Sequence, residues 1–219
     1  MLALSALGTV GALTSAYFTV MSIREMKVNN EVVRPVEVYV VKTVDRVDGV
    51  KRILSKFDLS EYRGKRVFLK ANFNSADPYP ASTHLDTLRT IVTYLKSQEV
   101  NDMIIGERSG MGDTRMVLKR LGVFELAAEA GVKVEVLNEN PVSRWIKIEP
   151  DGTHWLRGFY LPKSLFEAGR VIQTCCLKTH RFGGHFTMSL KNSVGLVAKN
   201  VPGELYDYMV ELHTSPYQR

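Results

Sequence analysis

Short apolar runs alternating with stretches of helical spacing constrain this chain more than any other feature. Val36–Val41 (VEVYVV), Arg66–Leu69 (RVFL), Asp102–Gly106 (DMIIG), Lys133–Leu137 (KVEVL) and Arg170–Leu177 (RVIQTCCL) have the length and β-branched content of strands. Between them, Val47, Val50, Ile53, Leu54 and Phe57 recur at helical intervals, and Leu85, Leu88, Ile91, Val92 and Leu95 form one apolar stripe. Ser82 or Thr83 is expected to cap the helix carrying that stripe. Thr114–Leu121 and Val123–Ala130 read as two further helices, the second closed by Gly131. The regularity lapses over Asn138–Pro162, which reads as a hairpin or a lid, and a short helix from Ser164 to Ala168 precedes the RVIQTCCL strand, expected to be central. Strands alternating with helices predict a three-layer α/β fold on a mostly parallel sheet, occupying residues 36–219.

Residues 1–23 stand apart. They carry no charged side chain, and they are long enough to span a bilayer or to form the apolar core of an export signal. Arg24 and Lys27 follow the segment, while no basic residue precedes it. A twin-arginine type of leader upstream would complete an export signal, and a buried N-terminal helix is the alternative. The expectation is an exported or membrane-anchored protein, with a cytoplasmic one as the other choice.

The net charge of +6 suits an anionic partner, but the cations are scattered without a Lys/Arg block or aromatic interleaving, which argues against nucleic acid. The only two cysteines, Cys175 and Cys176, are adjacent, so the chain offers no ligand set for an iron–sulfur cluster or a structural zinc. If both lie in a strand they point to opposite faces.

Two polar stretches leave strands with a similar vocabulary. The first holds Lys70, Asn72, Asn74, Asp77 and His84; the second holds Lys178, His180, Arg181, His185, Lys191 and Asn192. Ligands of open parallel sheets bind beyond the carboxyl ends of strands, so the two loops are expected to form one pocket. Lys70 and Lys178 would bind a small anion there, with Lys191 also in reach. Asn72, Asn74 and Asn192 would orient the anion, and His84 and His180, with Lys178, would carry protons. His180, His185 and His213 are candidate ligands for a divalent metal, although none shows the tight helical spacing of the zincins. Gly106–Asp113 (GERSGMGD) has the strand–glycine loop–helix form of a phosphate cradle but fits neither nucleotide fingerprint. Glu107 and Asp113 would repel a phosphate, and Glu107 is equally suited to a metal or a cationic group.

Read in order, KANFNSADPYPASTHLDTLRTIVTYLK, IIGERSG, LPKSLFEAGRVI and LKTHRFGGHFTMSLKNSVGL closely resemble the family known as domain of unknown function 362. The signature segments are the loop at Lys70, the Thr83-His84 helix start, and Lys178-x-His180 followed by Ser189-Leu190-Lys191-Asn192. Ala71 departs from the family pattern, where proline is common. The resemblance implies a Rossmann-like domain continuing beyond Arg219 with more sheet, sometimes accompanied by a ferredoxin-like cluster module as a linked domain or partner. The segment order is also similar, more distantly, to the nickel-pincer lactate racemases. That similarity implies a cofactor-bearing role for Lys191 and a site role for His180.

Overall fold

The structure, a computed structural model, describes residues 18–22, 27–28, 31–32, 36–150, 155–180 and 186–210. The chain divides into two compact units, Met1–Phe57 and Asp58–Arg219.

In the first unit, β1 (Phe18–Ser22) is a strand, β2 (Lys27–Val28) and β3 (Glu31–Val32) form a short antiparallel pair, and β4 (Glu37–Val41) returns antiparallel to β1. Helix α1 (Arg46–Leu54) starts at Asp45, whose carboxylate accepts the Asp48 N–H at 3.0 Å. VEVYVV therefore forms its strand, but pairs with β1 and does not extend the parallel sheet. A strand in such a sheet is covered on both faces, whereas Glu37, Val38 and Val40 are exposed. Of the apolar segment 1–23, residues 18–22 form β1 and the rest lies outside the described residues. Among the described residues no helix is long and apolar enough to cross a membrane.

The second unit is built on β5 (Val67–Lys70), α2 (Leu85–Ser97), β6 (Met103–Glu107), α3 (Thr114–Arg120), α4 (Val123–Ala130) and β7 (Lys133–Val136). The antiparallel hairpin β8 (Trp145–Ile148) and β9 (Phe159–Pro162) comes next, followed by α5 (Lys163–Glu167), β10 (Arg170–Gln173) and α6 (Ser189–Asn192). Four strands form a parallel sheet in the order β10-β5-β6-β7, flanked by helices in a Rossmann-like α/β arrangement. Every residue of β5 is buried. The Phe68 ring lies so close to Gly106 on β6 that a Cβ there would come within 2.1 Å of it, which only glycine avoids. Phe68 packs in a cluster with Leu137, Trp145, Trp155, Leu196 and Met209. Leu88, Ile91, Val92 and Leu95 of α2 are all buried, each contributing about 1.5–3 kcal/mol by leaving water. Gly131 closes α4 in the left-handed conformation, as its position suggested.

Two expectations need correcting. RVIQTCCL is not central: β10 lies at the edge of the four-stranded sheet and stops at Gln173, its four residues matched one to one with Val67–Lys70. The Thr174 N–H donates to the Lys70 carbonyl at 2.9 Å and the chain then leaves the sheet, so Cys175 and Cys176 sit in the following loop, both partly exposed. The cap of α2 is neither Ser82 nor Thr83. Both are drawn into bonds with the preceding loop and β10, and the His84 Nδ1 accepts the Asp86 N–H at 3.1 Å instead.

Candidate functional site

Strands β5 and β6 are parallel neighbours and end in opposite charges, Lys70 and Glu107. The Lys70 ammonium lies 2.6 Å from Glu107 Oε1, and both side chains are at most 2% exposed. Its other donors reach the Ala71 carbonyl at 2.6 Å and Asn192 Oδ1 at 3.2 Å, so all three ammonium protons are used. Glu107 also accepts the Arg108 N–H on Oε1 and the Phe73 N–H on Oε2. Asn192 completes the network by donating to the Lys70 and Ala71 carbonyls at 3.2 and 3.3 Å. A Cβ at Gly195 would stand 2.9 Å from Lys70 Cε and 3.0 Å from Nζ, so glycine is what lets this turn close over the pair. Burial pulls the Lys70 pKa below that of a free lysine, and the Glu107 carboxylate opposes that shift.

Around this pair the loops after β5, β6 and β10 are laced together. Thr83 Oγ1 donates to the Thr174 carbonyl and accepts the Asn72 N–H. The Lys178 ammonium and the Asn72 carboxamide both donate to the Ala81 carbonyl, at 2.8 and 3.3 Å, and the Cys176 thiol donates to the Ser82 carbonyl. The Asn74 Oδ1 accepts the Gly110 N–H at 3.0 Å, and its backbone carbonyl accepts from Met111, tethering the glycine loop after β6. Asn72, Asn74 and Asn192 thus hold backbone in place at the strand ends, and Lys70 is committed to Glu107.

The cations left toward solvent gather on the β10 side. Lys178 and His180 are partly buried, and Lys191, at the end of the same segment on α6, is exposed. Partial loss of hydration, followed by the charges of Lys178, Arg108 and Lys70, pulls the Lys191 pKa below its ordinary value. Burial, then Lys191 and Lys178, lowers the pKa of His180 as well. These shifts place the four cations and the imidazole in one positive field.

His84 has a structural position, capping α2 with its ring edge-on to Tyr79 at 5.8 Å. His185, His213 and Arg181 lie outside the described residues. Among the described residues no group of three or more His, Cys, Asp or Glu side chains could hold a metal ion. Glu107 meets a cation, as one of its two readings allowed. The sequence did not single out Arg108 or Gly195. Arg108 is visible only as a charge following a strand-end glutamate, and nothing local marks Gly195.

Residues 67–213 match the family described as Domain of unknown function (DUF362). The chain belongs to this family. The matched region begins at β5 and takes in the parallel sheet, the lysine–glutamate pair and the Lys178–Lys191 segment. No curated protein and no solved structure matches the chain, so the more distant similarity to the lactate racemases gains no support.

Proposed function

We propose that this DUF362 domain binds a small carboxylate- or phosphate-bearing molecule beyond the carboxyl ends of β5 and β10, with Lys178 and Lys191 as its cationic contacts. The observation that carries the reading is that the chain folds the Lys191 segment back onto Lys178, the Thr187 N–H donating to the Lys178 carbonyl at 2.8 Å, and the field at Lys191 agrees with it. After lost hydration, the strongest influences on this ammonium are three other cations, and an anion seated among them would relieve their repulsion. His180, whose lowered pKa keeps it neutral at pH 7, is the group suited to accept a proton from the bound molecule. The test is calorimetric titration of the chain with succinate and with inorganic phosphate at fixed ionic strength. Binding should weaken about tenfold in Lys191→Ala and in Lys178→Ala. Unchanged affinity in both variants would overturn the reading.

A second reading rests on the apolar residues flanking the same cations. Leu177 and Leu190 are 82% and 90% exposed, and Phe186 is 68% exposed. Such a surface suits a docking domain that meets another protein, such as a ferredoxin-like module. On this reading neither anion registers in the titration at Lys178 and Lys191, which separates the two.

A further inference from the structure

The glycine loop after β6 borders a cleft of about 280 Å³. Its wall includes Arg108, Ser109, Thr114, Asn138, Lys199 and Asn200, a set with two cations, two carboxamides, two hydroxyls and no carboxylate. Arg108 is the informative member. It is 5% exposed, and its Nη2 donates to the Val194 carbonyl at 2.7 Å and lies 3.7 Å from Met209 Sδ. Its Nε–H has no hydrogen-bond partner among the described residues. An unmatched donor on a buried guanidinium is costly, and because this Nε is closed to solvent, a turn of the side chain toward an acceptor in the cleft is what would recover that cost.

We propose that this cleft is a separate oxyanion site that takes the phosphate group of a small phosphomonoester, with Arg108 at its base and Lys199 at its mouth. The acidic residues nearby oppose this less than their sequence positions suggested. Glu107 is neutralised by Lys70 and accepts two backbone N–H groups. The Asp113 carboxylate is occupied at the start of α3, where it accepts the Met116 N–H at 2.8 Å. Asp207 also acts on Arg108, so the charges of Arg108 and Lys199 are set against those of Asp207 and Asp113, and the site relies on its hydrogen-bond donors as much as on net charge. The loop is tethered from outside the cleft, so a ligand would meet its side chains and not its N–H groups. Gly110 and Met111 are tied to Asn74, and Ser109 donates to the Phe73 carbonyl at 2.6 Å. The volume lies just below the roughly 300–1,000 Å³ of small-molecule sites, which suits a single phosphate with a short organic tail.

The experiment is titration of the full chain with inorganic phosphate, by calorimetry at constant ionic strength, comparing wild type with Lys199→Ala, Asn138→Ala and Lys191→Ala. Lys199 and Asn138 are exposed, so these substitutions leave the fold intact, which circular dichroism verifies. Lys199→Ala and Asn138→Ala should each weaken one phosphate site about fivefold, while Lys191→Ala, which reaches Arg108 only through its charge, weakens that site by less than about twofold. A single phosphate site lost only in Lys191→Ala would refute this cleft and leave the β10-side reading standing. A site sensitive only to Lys199→Ala and Asn138→Ala would do the reverse. Wild-type affinity in both cleft variants, or no phosphate uptake at millimolar concentration, would overturn the proposal.

Discussion

Glu107→Gln tests the buried pair with almost no change of shape. The carboxylate accepts on both oxygens, from Lys70 and Arg108 on Oε1 and from Phe73 on Oε2. A carboxamide replaces one of these acceptors with an NH2 group. Turned one way, that group faces the Phe73 N–H; turned the other way, it faces the Lys70 ammonium. In either orientation a donor meets a donor, and Lys70 keeps its charge without a counterion at 1% exposure. Removing one partner of such a pair costs about 3–5 kcal/mol, against about 0–1 kcal/mol for a surface pair.

Trp145 and Trp155, both buried in the cluster around Phe68, make urea unfolding of this unit readable by fluorescence. With a urea slope of about 2 kcal/mol per molar, the midpoint should fall by about 1.5–2.5 M. The pH dependence adds a second arm. Burial lowers the folded-state pKa of Lys70, and the Glu107 charge resists this, so removing that charge lowers it further. Between the folded and unfolded pKa values the unfolded chain binds more protons, so stability contributed at this site rises with pH. The deficit of Glu107→Gln should therefore shrink as pH is raised toward the ordinary lysine range. The double variant Lys70→Met/Glu107→Leu should be more stable than Glu107→Gln, because no unpaired charge remains. A loss below about 1 kcal/mol, or a double variant no better than the single, would refute the reasoning.

Two further expectations concern the histidines. His84→Ala should cost about 0.5–2 kcal/mol through loss of the α2 cap, and His84→Asn should restore most of it. Anion binding that fell in His84→Ala and stayed low in His84→Asn would show instead that the ring serves the ligand. The His180 imidazole should titrate below 6.5, and Lys191→Ala should raise its midpoint, read from the imidazole C–H resonances by NMR. As pH falls through 6.5 the unfolded chain takes up this proton before the folded one does, so the group lowers stability in acid. An unmoved midpoint would place Lys191 out of electrostatic reach.

The order of elements in the second unit was legible in the sequence because each run of residues carries its own period, as the α2 stripe and the β5 run show. What could not be read was which strand pairs with which. VEVYVV and RVIQTCCL have ordinary strand composition, yet one joins an antiparallel pair and the other an edge, because pairing depends on partners far along the chain. The cysteines illustrate the same limit. Composition suited them to a strand, but the ladder ends at Gln173 because β5 itself ends at Lys70.

The candidate site shows a subtler version of this problem. Strand-end lysines and asparagines were visible as a class, but the sequence does not say which of them are already satisfied. Lys70 and Glu107 lie 37 positions apart and Asn192 is 122 from Lys70, so only the adjacency of β5 and β6 and the turn through Gly195 reveal that they satisfy one another. Once they do, their bonding capacity is spent on holding the loops. In the two proposed sites a ligand would meet cations outside this pair, Lys178 and Lys191 beside β10, and Arg108 with Lys199 beside β6. The buried pair also bears on the proposed cleft, because the Lys70 charge offsets the Glu107 carboxylate that would otherwise repel an anion at the end of that strand.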